Sequence, residues 1–171
     1  MKKLLLATFI SVQLFASLQE LTSFEADFSQ SITDEKEKVL TYHGRIVALK
    51  PQNARWSYIE PIKKDVFIND FQVTIVEPEI EQVIIKRIES NFDFFKIVSS
   101  AKKIDQNTYV AFYRETKFTI VKNGDFIESI SYLDEFENRV KITFENQKQN
   151  HTIKKSIFIP KYPIEFDIIK D

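Results

Sequence analysis

Residues 54–77 read ARWSYIEPIKKDVFINDFQVTIVE, and three short apolar segments follow one another in this stretch. Pro61 separates the first segment from the second, and Asn69-Asp70 separates the second from the third. Segments of this length that are rich in Val, Ile, Phe, Tyr and Trp and bounded by turn residues are typical of β-strands. The tight connections between them predict antiparallel neighbours.

The same pattern runs through most of the chain from Val39 onward. Short strands at regular spacing favour a meander that is closed into a barrel or bent into a half-barrel, because closure removes unpaired strand edges. We therefore predict a mainly β fold of the α+β class. The predicted strands lie near 39–49, 54–60, 63–69, 71–77, 80–88, 107–114, 116–122, 125–133, 138–146 and 152–159.

The amino end differs from the rest of the chain. Two lysines precede an apolar run from Leu4 to Phe15 that ends in Ala16-Ser17. This order of charge, apolar run and small residues is that of a secretory signal peptide, and the run is too short for a stable transmembrane helix. We predict a signal peptide at 1–16 and a single domain at 17–171.

Two segments show helical rather than alternating periodicity. An amphipathic helix is predicted after the signal peptide from the spacing of Leu18, Leu21, Phe24, Phe28 and Ile32. A second helix is predicted within 90–101, lying across the sheet. Its broad apolar face contains Phe92, Phe94, Phe95 and Val98.

Charge and cysteine content exclude several functions. Without residues 1–16 the chain has 22 of its 24 basic residues and all 25 acidic ones, a formal net charge of −3. No long basic patch remains, so we expect no nucleic-acid partner. Cysteine is absent, which excludes disulfides, thiol catalysis and a lipid-modified cysteine.

No residue pattern indicates catalysis or a cofactor. His43 and His151 are far apart in the sequence and lack zinc-site spacing. Phosphate-binding loops are excluded because Gly44 and Gly124, the only glycines, are isolated. The acidic residues near Glu79 fit a solvated turn. We therefore expect neither a cofactor nor a metal site, and a protein that is not an enzyme.

Aromatic residues are abundant: sixteen phenylalanines, six tyrosines and one tryptophan. Packing in the hydrophobic core explains most of them. A barrel of about ten strands is nevertheless too wide for a single layer of side chains to fill. A phenylalanine-rich helix over its mouth would make a closable apolar cavity, for which lipid acyl chains are the natural occupant.

The first of a series of motifs is Ser23-Phe24-Glu25-Ala26-Asp27-Phe28-Ser29-Gln30. It is similar to the S-F-x-A-x-F-x-Q motif of the LolA family. Further similarities follow in the family's order and at its separations. They are Gly44-Arg45-Ile46, Lys50-Pro51, Trp56, Pro61 and Pro78-Glu79-Ile80-Glu81-Gln82-Val83. Beyond this stretch, which spans about 21–88, the chain agrees with the family in its general pattern and in Phe158-Ile159-Pro160, which resembles the family's F-x-P.

The resemblance implies an incomplete antiparallel β-barrel, with an amino-terminal helix and a helical lid over an apolar cavity. It implies a monomeric periplasmic carrier of acylated lipoproteins, which takes them from an inner-membrane lipoprotein-releasing transporter and passes them to an outer-membrane acceptor. The receptor family of the same fold is anchored by a lipid-modified cysteine, so the missing cysteine favours the carrier.

Site residues follow from the resemblance and from strand alternation. The predicted acyl-chain cavity consists of Ile46, Ala48, Ala54, Trp56, Tyr58, Val66, Ile68, Val73 and Ile75. The predicted lid residues are Phe92, Phe94, Phe95 and Val98. Lys50 stands where the family has an arginine that latches the lid, and an ammonium group without the guanidinium fork predicts a weaker latch or none.

Three alternatives remain open at the level of sequence. A general periplasmic fatty-acid or small-lipid binder would show the same features. A secreted enzyme is disfavoured by the sparse histidines and the missing nucleophile motif. An integral outer-membrane barrel is disfavoured by the many charges on the predicted strands.

Overall fold

The computed structural model describes residues 18–69, 72–87 and 93–170. The strands in these ranges are β1 (Ser23–Thr33), β2 (Val39–Leu49), β3 (Asn53–Glu60), β4 (Lys64–Asn69), β5 (Gln72–Glu77), β6 (Gln82–Arg87), β7 (Lys102–Lys103), β8 (Thr108–Tyr113), β9 (Thr116–Asn123), β10 (Phe126–Leu133), β11 (Arg139–Gln149) and β12 (Asp167–Lys170). Helix α1 spans Phe94–Ser100, and 3-10 helices span Leu18–Glu20, Pro78–Ile80 and Lys155–Phe158. The predicted signal peptide lies outside the described residues.

All twelve strands form one sheet in the order β12-β6-β5-β4-β3-β2-β1-β11-β10-β9-β8-β7. Two antiparallel meanders, β1 to β6 and β7 to β11, meet where β1 pairs with β11 in the middle of the sheet. β12 pairs in parallel with β6, so β12 and β7 are the two edges. The sheet is not closed, and the prediction of a mainly β fold with an incomplete barrel is confirmed.

The predicted amino-terminal helix is wrong over Ser23–Thr33, which form β1. Only Leu18–Glu20 form a helical turn, of the 3-10 type, in the described part of this segment. Phe24, Ala26 and Phe28 alternate on one face of β1 and are buried. Residues four apart share a face in a helix and also in a strand, so the apolar spacing that indicated a helix is equally compatible with β1.

Residues 150–170, which follow β11 and are here called the carboxyl-terminal segment, also differ from the prediction, which was a strand at 152–159. This segment contains a 3-10 helix at Lys155–Phe158 and then the parallel strand β12. It covers a second hydrophobic cluster on the face of the sheet opposite the main hydrophobic core, here called the outer face. In this cluster Tyr162 and Phe166 pack against Phe67, Val76 and Val83. The sheet is therefore apolar on both faces near β4, β5 and β6.

The carboxyl-terminal segment is attached to the start of β1 by several hydrogen bonds. The side chain of Asn150 accepts a hydrogen bond from the backbone N–H of Thr22 at 2.8 Å. The hydroxyl of Ser23 donates to the carbonyl of His151 at 2.7 Å and accepts from its N–H at 2.8 Å. The imidazole Nε2 of His151 lies 3.0 Å from the Glu25 carboxylate. These contacts fix the direction in which the chain leaves β11.

Candidate functional site

One face of the sheet, here called the inner face, carries the main hydrophobic core, and helix α1 packs against it. Four of the seven residues of α1, Phe94, Phe95, Ile97 and Val98, are buried. The ring of Phe94 lies 4.8 Å from that of Phe24 and 5.3 Å from that of Phe95. The predicted mid-chain helix is thus present, and it covers part of the inner face.

The start of α1 is fixed by its own first residues. The Asp93 carboxylate accepts a hydrogen bond from the backbone N–H of Lys96 at 3.1 Å and so caps the helix. The ammonium group of Lys96 lies 3.2 Å from the other carboxylate oxygen. Of the predicted lid residues, Phe94, Phe95 and Val98 belong to this helix, and Phe92 lies outside the described residues.

An apolar cavity of about 190 Å³ opens on the inner face next to α1. None of the described residues that line it carries a charge. The lining residues are Gln30, Trp56, Tyr58, Val66, Ile68, Val73, Tyr132 and Ile142. Trp56 and Ile68 also line a narrow crevice beneath Phe94 and Phe95, so the cavity reaches the edge of the helix.

At one end of the cavity aromatic side chains pack together, and a hydrogen bond joins two polar side chains. The Phe28 ring packs edge-on against Trp56 and Tyr58, each at 5.1 Å. The Tyr58 hydroxyl donates to the side-chain oxygen of Gln30 at 3.0 Å. Burial raises the pKa of Tyr58 well above its usual value, and burial together with nearby Asp134 raises the pKa of Tyr132 to about 12. Both phenols are therefore neutral at physiological pH.

The nine predicted cavity residues divide into two groups. Five of them, Trp56, Tyr58, Val66, Ile68 and Val73, line the cavity. The other four do not. Ile46, Ala48 and Ala54 are buried in the main core, and Ile75 lies half-buried on β5, opposite Val66.

Lys50 contacts both the amino-terminal turn and α1. Its ammonium group donates to the carbonyl of Gln19 at 3.1 Å and lies 5.9 Å from the centre of the Phe95 ring. The contact with α1 is therefore a cation–π interaction rather than the forked hydrogen bonds of an arginine. The latch role assigned to this position by resemblance stays a prediction.

Three lining residues were missed by the sequence reasoning: Gln30, Tyr132 and Ile142. Gln30 follows Phe24, Ala26 and Phe28 at alternate positions of β1, so it could be assigned only once that segment was recognised as a strand. The alternation of apolar residues in β10 and β11 was available for Tyr132 and Ile142. What the sequence did not contain was the pairing of β1 with β11, which brings these strands to the cavity.

A larger cleft of about 620 Å³ lies on the outer face, between the sheet and the carboxyl-terminal segment. Its lining includes Arg55 and Asp65, which form two parallel hydrogen bonds of 3.2 and 3.1 Å, and also Glu25 with His151. These charged groups already pair with one another. The smaller inner cavity is the better site for an apolar ligand, because a hydrocarbon chain in the outer cleft would desolvate charges without replacing their partners.

The histidines and acidic residues form no recognisable catalytic or metal centre in the described part of the chain. His43 is exposed on β2, and His151 pairs with Glu25. Among residues 18–69, 72–87 and 93–170, no group of three or more His, Cys, Asp or Glu side chains could hold a metal ion. Over the same residues, no helix has the length and apolar character needed to span a bilayer.

The described residues form an open sheet with an apolar cavity beside a helix, an arrangement of the class suited to apolar ligands. The sequence pattern of the family described as "Outer membrane lipoprotein carrier protein LolA" matches residues 19–121. A Campylobacter jejuni protein named outer-membrane lipoprotein carrier protein is 41% identical, over 99% of this chain and 100% of its own. The chain belongs to the LolA family.

Other relatives agree with this assignment, and one solved structure shares the fold. A Helicobacter pylori protein of the same name is 35% identical over 90% of this chain and 83% of its own. A Wolinella succinogenes protein, again of that name, is 30% identical over 91% of each chain. The crystal structure of an uncharacterized conserved protein from Thermus thermophilus shares the fold with a TM-score of 0.53, at 12% identity, over 88% of this chain and 91% of its own.

Proposed function

We propose that this protein carries acylated lipoproteins through the periplasm by holding acyl chains in the inner cavity. The single observation that carries the proposal is the uncharged, aromatic-walled cavity beside α1 in a chain of the LolA family. Within the family, relatives named outer-membrane lipoprotein carrier protein match almost the whole chain. A hydrocarbon chain binds to apolar walls without specific hydrogen bonds, and the apolar and aromatic side chains of this cavity provide such walls.

Helix α1 has to move for a long acyl chain to bind. The cavity of about 190 Å³ is smaller than the roughly 300 Å³ at which ordinary ligand pockets begin. The apolar residues of α1 are already buried against the sheet, so displacing them costs free energy. That cost offsets part of the roughly 0.8 kcal/mol gained per buried methylene. Cargo is then held less tightly than full burial would allow, and release to a stronger acceptor needs no nucleotide.

The route of the cargo follows from the proposed location. The segment at 1–16 directs the chain to the periplasm and is removed there. An inner-membrane lipoprotein-releasing transporter supplies the cargo, and an outer-membrane acceptor takes it over. The protein acts as a monomer in this scheme, since one sheet with its helix contains the whole cavity.

The test is lipoprotein release from spheroplasts or inner-membrane vesicles. The purified protein is incubated with vesicles containing an acylated lipoprotein, and the supernatant is analysed by gel filtration. The expected result is a soluble one-to-one complex. The control cargo carries Ser in place of its acylated cysteine and should form no complex. Equal recovery of both cargoes, or recovery of neither, would contradict the proposal.

A general small-lipid binder is the second candidate, and the size of the cavity favours it. About 190 Å³ suits one short apolar molecule without movement of α1. In that case the protein would bind free fatty acid and release no lipoprotein from vesicles. Competition between fatty acid and acylated lipoprotein distinguishes the two candidates, because only a carrier forms the soluble lipoprotein complex.

A further inference from the structure

A continuous row of apolar side chains crosses the inner face from the middle of the sheet to one edge. Each member lies directly opposite the next in the register of neighbouring strands, so all of them point to the same face. The row, called the apolar row below, consists of Ile46, Trp56, Val66, Ile75, Ile84 and Ile169. Its last member belongs to β12, the carboxyl-terminal strand.

The apolar row is buried at the middle of the sheet and exposed at its edge. Ile46 is fully buried and Trp56 is 5% exposed. Val66 and Ile84 are half-buried, and Ile169 is 42% exposed. Trp56 and Val66 also line the cavity. The row is therefore a continuation of the cavity wall that becomes more accessible towards the edge of the sheet.

Polar side chains flank the apolar row where it crosses β6 and β12, at the edge of the sheet. Gln82 and Lys86 lie two positions before and after Ile84 on β6, and Asp167 lies two positions before Ile169 on β12. Same-face neighbours on a strand are about 7 Å apart, so the apolar strip is one side chain wide here. A strip of this width fits a single hydrocarbon chain, whereas a protein partner of ordinary size covers a much broader patch.

The length of the row also matches a hydrocarbon chain. From Trp56 on β3 to Ile169 on β12 the row crosses four inter-strand spacings, which is about 19 Å. An extended palmitoyl chain has a similar length. A chain lying along the row would start in the cavity and end at the sheet edge.

We propose that the apolar row is the path of a cargo acyl chain, so that Ile84, Ile169 and the strand β12 belong to the lipid-binding surface. This inference rests on the proposed carrier function and adds the direction in which the acyl chain lies, from the cavity to β12. The end of the chain near Ile169 is the least covered part, and an acceptor would therefore begin to withdraw the acyl chain at the edge formed by β12.

The test compares Ile169→Asp with Ile168→Asp. The two isoleucines are neighbours on β12 and have nearly equal exposure, 42% and 43%, but Ile168 lies opposite Val83 on the outer face. The probes are a fluorescent peptide with one palmitoyl group, the same peptide with an octanoyl group, and the unmodified peptide. We expect Ile169→Asp to weaken palmitoyl-peptide binding about tenfold, the effect of uncovering about two methylenes.

The expected loss is larger for the palmitoyl than for the octanoyl peptide, and Ile168→Asp should bind both as the wild type does. A photoreactive benzoylphenylalanine at position 169 should crosslink to the palmitoyl group, and one at position 168 should not. Equal effects or equal crosslinking at the two positions would overturn the path along β12 but leave the carrier function intact. A wild-type protein that does not prefer the palmitoyl peptide over the unmodified one would overturn both.

Discussion

Gly44 of β2 lies opposite Phe28 of β1 and Tyr58 of β3. A Cβ atom at this position would lie 2.1 Å from the carbonyl oxygen of Ser57 and 2.7 Å from the ring of Phe28. The ring of Phe28 in turn supports Trp56 and Tyr58 in the cavity wall. The absence of a side chain at Gly44 therefore allows the Phe28 ring to pack directly over β2.

We expect Gly44→Ala to lower the free energy of unfolding by about 1–3 kcal/mol, because the added methyl group overpacks the site. Urea denaturation measures the change. The control is Gly124→Asn in the β9–β10 turn, where φ is +60° and nothing lies within 4 Å of the added Cβ. Asn tolerates this conformation, so the control should change stability by less than about 0.5 kcal/mol. Equal losses would refute the steric explanation.

Val66 tests the cavity wall itself. A glutamate at this half-buried position places a carboxylate among Trp56, Ile68 and Val73, and an acyl chain cannot replace its water. We expect Val66→Glu to reduce the lipoprotein complex at least tenfold while circular dichroism stays that of the wild type. The control is Val110→Glu, a half-buried valine of β8 that points away from the inner face. A folded Val66→Glu protein that releases lipoprotein normally would exclude this cavity as the binding site.

At the level of elements, helix α1 is short, and one side chain caps it. Asp93→Ala removes the hydrogen bond to the Lys96 N–H and should cost about 1 kcal/mol of helix stability. The inner face would then open more often. We expect stronger binding of an apolar fluorescent dye and faster exchange of acylated peptide between carrier molecules. The control Asp93→Asn keeps a capping oxygen and should resemble the wild type. If Asp93→Asn instead matches Asp93→Ala, the capping hydrogen bond does not keep α1 against the inner face.

Local sequence patterns predicted the hairpin strands well and the long-range arrangement less well. The interval 39–49 coincides with β2, since alternation within a strand and its turn residues are both local. β1 was predicted as a helix because its apolar spacing fits both periods. β12 was not predicted, because its pairing with β6 joins segments more than eighty residues apart. Cavity residues on β3, β4 and β5 could be predicted from alternation together with the resemblance to the family, whereas Tyr132 and Ile142 depend on the pairing of β1 with β11.

For the whole molecule, acid sensitivity is expected where the carboxyl-terminal segment meets the sheet. A hydrogen bond from Arg45 holds the pKa of Glu25 below its usual 4.5, and one from His151 acts in the same direction. A carboxyl group with a lowered pKa in the folded state stabilises the protein above pH 4.5. This stabilisation is lost as the pH falls through the lowered value.

We therefore expect Glu25→Gln to be less stable than the wild type at pH 7, and the difference to shrink as the pH falls to 3. Melting temperatures at pH 7, 5 and 3 measure this. The control is Glu128→Gln, at an exposed position of β10, which should follow the wild type at each pH. A difference between Glu25→Gln and the wild type that is constant with pH would show that the carboxylate contributes by packing alone.

The pairing of β1 with β11 has a consequence for the export to the periplasm that we propose. Phe24 lies opposite Gln149 in the register of these strands, so the centre of the sheet joins the beginning of the domain to a point near its end. Contacts between such distant segments form late and slowly. A chain that crosses the inner membrane amino end first cannot complete this pairing until β11 has followed. The topology thus keeps the domain incomplete, and suited to passage through a narrow translocation channel, until nearly all of it has crossed.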